Sequence, residues 1–356
     1  MKPLTISPLD ASKDEDLRAW HATYFEATVH GREHSTPWML EEVRAELRAE
    51  NPGTKALAWG GYVDGQVAVT GTLYLPLKDN LKQAWLDVAT SPALRNRGFG
   101  SAMLEHLTTT AATEHGRSIF STGAAYPYDA PTDGSGQPNV EFLVHRGFAF
   151  GLGDVQRALD LPVDSALLQR LVDEAAPHHG DYEIRQFRGP VPGDIIDSFG
   201  DLIGSLMTEA PQGEMEIERE IFDPERIRAD ELVFKESGRT KYTTVAIAKD
   251  GTVAAYSELV VPRFDPGRVY QWGTLALREH RGHRLGQATK ARNLLWLQEE
   301  RPDLKVLTTY NAEVNAHMIA VNDAMGFRPV ERLGEFQRKL GQRKLGQKKL
   351  DQKELA

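Results

Sequence analysis

The stretch ALRNRGFGSAMLEHL, residues 93–107, sets Arg95 and Arg97 beside Gly98 and Gly100, just ahead of a helical pattern. The first N–H groups of a helix have no partner inside it, and the helix dipole adds positive charge at that end. An anion docks there readily. Gly98 and Gly100 let backbone approach a bulky diphosphate, Arg95 and Arg97 supply charge, and Ser101 supplies a hydroxyl. The chemistry on offer is diphosphate binding. No Gly-Lys-Ser/Thr follows, so this is not a Walker A loop. Met103 stands where a dinucleotide fingerprint needs its third glycine. A single loop of this kind reads equally well as an ordinary strand-to-helix turn. Here it recurs: EHRGHRLGQATKARNLL, residues 279–295, places Arg281 in the position of Arg95, 186 residues later.

The elements around the two loops repeat as well. A strand-like run precedes each: QAWLDVAT (83–90) and VYQWGTLAL (269–277). A helical stripe follows each, with Met103, Leu104, Leu107 and Ala111 in one and Ala288, Ala291, Leu294 and Leu295 in the other. Next come a short strand (118–123 and 305–310), a helix running into Gly-Phe (139–148 and 315–327), and a closing strand. Upstream, each half reads as two helices and then two alternating strands around Asp-Gly, a hairpin pattern. Five elements in one order predict a duplication, each copy ααββ-β-αβαβ. The expected division is a first domain at 1–162, a linker at 163–180 with room for a short helix, a second domain at 181–340 and a basic, unstructured tail at 341–356.

Composition fits this plan. The chain has 356 residues, 40% hydrophobic and 26% charged, enough for two soluble domains. It has no cysteine, which removes disulfides, thiolate metal sites and a cysteine nucleophile. No apolar run reaches membrane-spanning length and the first residues carry no signal-peptide core, so a cytoplasmic location is expected. The formal net charge of −9 disfavours nucleic acid and suits a cationic small substrate.

With its strand, the loop RNRGFG, the amphipathic helix, the next strand and N…RGF, the chain resembles the GNAT acyltransferase superfamily, whose phosphate loop reads Gln/Arg-x-x-Gly-x-Gly/Ala. Arg95, Gly98 and Gly100 fit that pattern; Arg281 and Gly286 fit it in the second copy, where Arg284 replaces the first glycine. The resemblance covers nearly the whole chain in the tandem layout of mycothiol synthase and related actinobacterial N-acetyltransferases. It implies an α/β (α+β) fold: two GNAT units, each a mixed, largely antiparallel sheet splayed between its fourth and fifth strands, with helices on both faces. It implies acetyl-CoA as co-substrate, no metal, and direct attack by the amine of a small molecule. Backbone around Val88, Ala89 and Thr90, or around Leu275, Ala276 and Leu277, would pair with the pantetheine arm. Loop N–H groups would hold the pyrophosphate, at Asn96, Arg97, Gly98, Phe99, Gly100 and Ser101 or at Gly282, His283, Arg284, Leu285, Gly286 and Gln287. Asn311 and Asn315 complete the expected cofactor contacts.

Direct transfer needs a neutral amine and something to accept its proton. The tyrosine that many superfamily members use as acid falls here on Leu143 and Asn322. Asp87, in the fourth strand of the first half, is the candidate base; its counterpart is Gly273. Tyr310, ending the fifth strand of the second half, is the candidate acid. His280 and His283 lie inside an arginine-rich loop and are not read as metal ligands. Glu209, Glu214 and Glu216 fall where an acceptor site would lie, with a solvated acidic loop as the alternative. Gly98 leaves room for phosphate where Arg284 adds bulk, so the first loop is expected to bind better. Two rival functions stay open: an acyl-CoA-binding pseudoenzyme or scaffold with one or both halves inactive, and a protein or peptide acetyltransferase.

Overall fold

Each half opens with a strand too short to show alternation, and those two strands become the outer edges of one sheet. The computed structural model describes residues 3–341. The first half runs β1 (Thr5–Pro8), α1 (Asp14–Val29), α2 (Leu40–Arg48), β2 (Thr54–Val63), β3 (Gln66–Pro76), β4 (Gln83–Thr90), α3 (Phe99–Thr113), β5 (Ile119–Pro127), α4 (Pro138–Val144) and β6 (Ala149–Asp160). Then comes α5 (Ser165–Ala175). The second half runs β7 (Glu183–Arg188), α6 (Ile196–Gly204), α7 (Leu206–Glu209), α8 (Pro224–Glu236), β8 (Arg239–Ile247), β9 (Val253–Pro262), β10 (Arg268–Ala276), α9 (Leu285–Glu300), β11 (Val306–Ala312), α10 (Ala316–Met325) and β12 (Arg328–Lys339). The plan expected from sequence lacked β1 and β7. The expected tail at 341–356 lies outside the described residues apart from Gly341.

The twelve strands form one sheet in the order β1-β2-β3-β4-β5-β12-β6-β11-β10-β9-β8-β7. That order corrects the expectation that each closing strand completes its own half. The second half's last strand, β12, runs antiparallel between β5 and β6, and β6 runs antiparallel to β11. The halves have exchanged closing strands. Phe336 of β12 is fully buried in the first half's core with Leu73, Met103, Leu107 and Phe120. Leu159 of β6 is buried in the second half's core with Leu294, Leu297 and Leu307.

Segment 163–180 is likewise no free linker. Leu168, Leu171 and Val172 on one stripe of α5 join that same core beside Ala291 and Leu294 of α9. His179 is buried as well. Across the other seam, Arg239 Nε donates to Glu42 Oε1 at 2.7 Å, both side chains almost fully buried, and its guanidinium lies 3.8 Å from the centre of the Trp38 ring.

Candidate active site

The two loops have the same backbone. In the first, Asn96 (φ 62) and Gly98 (φ 83) are left-handed; in the second, the corresponding residues are Gly282 (φ 89) and Arg284 (φ 50). Gly98 caps α3 and Arg284 caps α9, so both helices point unpartnered N–H groups into their loops. The bulk expected at 284 does not block the loop. The Arg284 guanidinium turns away to donate to the Glu174 carbonyl at 3.3 Å. His283 meets the His178 carbonyl and Gln287 donates to the Leu171 carbonyl, so this loop leans on α5 and the turn after it. The difference between the loops is charge. Arg95 donates to the backbone carbonyls of Thr90 and Ala27. Arg281 donates to the Ala276 carbonyl in the same way but also to the Glu209 carboxylate at 2.7 Å, and Arg278 lies 3.5 Å from that same carboxylate. Glu209, considered as an attractor for a cationic substrate, is held by these arginines.

Both halves splay. β4 and β5 pair in parallel only from Gln83 to Trp85, so the β5-facing peptide groups of Leu86–Thr90 have no strand partner. β10 and β11 pair from Arg268 to Gln271 and then part, leaving Trp272–Ala276 open toward Tyr310–Ala312. An amide-bearing arm could lie in either notch, with its phosphates at the helix start below.

The first half has a cavity beside its notch. Trp20, Tyr24, Trp38, Val43, Glu46, Leu47, Thr72, Tyr74 and Asp87 enclose about 150 Å³. α1 brings Trp20 and Tyr24, stacked at 5.7 Å. α2 brings Val43, Glu46 and Leu47; β3 brings Thr72 and Tyr74; β4 brings Asp87, opposite Thr72. Polar tips at the rim are tied back: Trp20 Nε1 donates to the Trp59 carbonyl at 2.8 Å, and Tyr24 Oη accepts from Trp38 N at 3.1 Å. Asp87 is reached by water through the cavity mouth, yet protein surrounds it closely. That burial pushes its carboxyl above the ordinary aspartate range, and Arg32 partly offsets the rise.

The second half closes the same place. Leu275 and Thr274 pair with β9 in one register, and Gln271 and Tyr270 in another, so Trp272 and Gly273 bulge where the first half has Asp87. No Cβ fits at Gly273, because the fully buried Tyr256 ring occupies the space. Glu258, across from the bulge, is bound to Lys241 at 3.2 Å, and Trp272 packs on Phe234 with centroids 5.4 Å apart.

Tyr310 stands beyond the part of β11 that pairs with β10, but its hydroxyl is 2.9 Å from Thr36 Oγ1 of the first half. Burial raises its pKa. Behind it, Asn311 accepts from Asn322 Nδ2 at 3.0 Å, and Asn322 in turn accepts from Lys290 Nζ. Burial pushes Lys290 down to about 7. Asn315 caps α10, accepting from Met318 N. The first half has Leu143 where the second has Asn322, and Leu104 lies 186 residues before Lys290, so its notch lacks this polar chain. Sequence reading missed Lys290, Glu46, Trp20, Trp38 and Tyr74. A lysine inside the apolar stripe of α9, where the first copy has leucine, was the available signal for the first of these.

Among the described residues, no group of three histidine, aspartate or glutamate side chains could hold a metal ion. No helix among them is long and apolar enough to cross a membrane.

Residues 15–128 match the model of the acetyltransferase (GNAT) family. No curated protein matches the sequence. Among solved structures, the chain is similar to a tandem GNAT protein from the clavulanic acid biosynthesis pathway, determined without acetyl-CoA. The match has a TM-score of 0.74 and 23% identity, over 96% of this chain and all of that one. A GCN5-related N-acetyltransferase from Sphaerobacter thermophilus aligns with a TM-score of 0.59 and 11% identity, over 95% and 97% of the two chains. The N-myristoyltransferase of Saccharomyces cerevisiae aligns at 0.58 and 10% identity, over 95% and 80%. The first half thus carries a GNAT family domain at residues 15–128, and the chain has the fold of a tandem GNAT protein from end to end.

Proposed function

We propose that the first half transfers an acetyl group from acetyl-CoA to the amine of a small molecule. The observation that carries this reading is Asp87, a carboxylate with no bonded partner among the described residues, lining an aromatic cavity beside the open edge of β4. The start of α3 with Arg95 and Arg97 would hold the diphosphate, and the free peptide groups of Val88–Thr90 would take the pantetheine amides. The acceptor amine would enter the cavity. Asp87 draws the ammonium in and takes its proton; the freed nitrogen pair forms the N–C bond, the C–S electrons leave with the CoA thiolate, and the second proton shed by the nitrogen passes to that thiolate. A carboxylate made more basic by burial is the better proton acceptor. A cavity of about 150 Å³ admits a compact amine rather than a folded protein surface.

The second half fits the scaffold reading. Its notch is open, but the bulge at Trp272–Gly273, the Lys241–Glu258 pair and the carboxylate on Arg281 leave it without a base and with a weaker phosphate loop.

The test is Asp87→Asn, which keeps shape and removes charge. Release of free thiol from acetyl-CoA with a panel of small amines should fall about 100-fold or more, the scale of a general base. Acetyl-CoA affinity by calorimetry should stay within about twofold of wild type, since the carboxylate acts on the amine rather than on the nucleotide. Undiminished turnover would remove Asp87 from the chemistry.

A further inference from the structure

Asp87 is not alone in the cavity. Glu46 of α2 lines the same space, and among the described residues neither carboxylate has a hydrogen-bond or ion-pair partner. The nearby charges are spoken for. Arg239, whose field reaches Glu46, is bonded to Glu42 at 2.7 Å; Asp230, the other charge that Glu46 feels, accepts from Asn51 at 2.6 Å. Arg32, whose field reaches Asp87, is clamped on Glu331 by two bonds of 2.8 and 2.7 Å. Burial pushes both carboxylates upward. An unpaired carboxylate against an apolar wall is costly.

They sit at different ends. Asp87 is opposite Thr72 in the β3–β4 register, beside the notch. Tyr74 lies two residues further along β3, about 6.8 Å at the usual strand rise. Of the charges its hydroxyl feels, Glu46 is the strongest and Asp87 the next. Between the two ends, the walls are the rings of Trp20, Tyr24, Trp38 and Tyr74. Aromatic faces suit both methylenes and ammonium groups. A cavity of about 150 Å³ is large enough for a benzene-sized body.

We infer that the acceptor is a short α,ω-diamine. One ammonium lies against Asp87, where it is deprotonated and acetylated; the other pairs with Glu46; the methylene chain runs between the rings. This rests on the first half being the transferring half. It adds that a monoamine leaves Glu46 half-buried and unpaired, so selection comes from the end that does not react.

The experiment compares 1,4-diaminobutane with n-butylamine as acceptors for the full chain with acetyl-CoA, reading thiol release. In wild type, kcat/KM should favour the diamine at least ~10-fold, and in Glu46→Gln the diamine-to-monoamine ratio should fall to near one. A wild-type ratio near one overturns the inference and leaves the transfer reading standing. An undiminished ratio in Glu46→Gln also overturns it. If neither amine, nor any other of a broad panel, releases thiol, the transfer reading fails. Calorimetry then judges the pocket alone. Binding of 1,4-diaminobutane to wild type, weakened about tenfold or more in Glu46→Gln and absent for n-butylamine, supports the assignment; equal binding of both amines, or of neither, defeats it.

Discussion

Asp87 combines two properties that pull against each other. Its raised carboxyl pKa means the unfolded chain ionises it more easily than the native chain does. The charged native carboxylate therefore costs stability once the pH exceeds the ordinary aspartate range, and that cost is absent at lower pH. Asp87→Asn should melt higher than wild type near neutral pH while losing turnover, the trade often found at active sites. The same shift sets the pH profile. Because the base must be ionised, kcat/KM should rise with pH through a value above the ordinary aspartate pKa, and the variant should lack that limb. A second carboxylate pair gives a separate readout. Asp154 on β6 and Glu335 on β12 lie diagonally across the β6–β12 pair; burial raises Asp154 to about 6, and burial with the charge of Asp154 raises Glu335 to about 7. The native state thus binds protons more tightly than the unfolded state, so stability is full below about pH 4 and falls as pH rises to about 7. Glu335→Gln should flatten that slope in urea titrations run at several pH values. An unchanged slope would mean the pair does not hold its proton.

At the scale of elements, local patterns were legible and pairing partners were not. The hairpins around Asp-Gly and the stripes of α3 and α9 follow from periodicity and the repeated order, while the splay of the fourth and fifth strands was implied by the GNAT resemblance. β1 and β7 did not show, because four and six residues are too few to display a period of two. The exchange of β6 and β12 was invisible for another reason: alternation tells a strand which face to bury, not which copy of a duplicated sheet to join. Segment 163–180 looked like a linker because its position between the repeats outweighed the amphipathic run Leu168, Leu171 and Val172. The exchange makes a clear prediction. Phe336→Ala, a change in the second half of the chain, removes a fully buried ring from the first half's core, edge-on to Phe150 at 5.6 Å. It should cost about 3–5 kcal/mol in denaturant unfolding. Hydrogen exchange should show protection lost first in α3 and β5, and loss confined to α9 and β11 would contradict the exchange.

At the scale of the molecule, duplication has left two loops of one backbone and two unequal sites. Asp87 could be read from sequence as a lone carboxylate in an apolar strand. Its partners could not, because Trp20, Trp38 and Glu46 come from two helices and the loop between them, which only tertiary packing brings onto β4. The closure of the second site was hinted at by Gly273 alone; the bulge, Tyr256 and Glu209 act through space. The central claim is that acetyl-CoA works in the first half, and paired charge reversals at Arg95 and Arg281 test it most directly. Both side chains are exposed at matching places, so thermal melting can establish that each variant folds. With the best amine acceptor, Arg95→Glu should raise the KM for acetyl-CoA about tenfold or more, the effect of placing like charge beside a diphosphate. Arg281→Glu should leave it within about twofold. A KM that rises only in Arg281→Glu would place the working site in the second half and contradict the account.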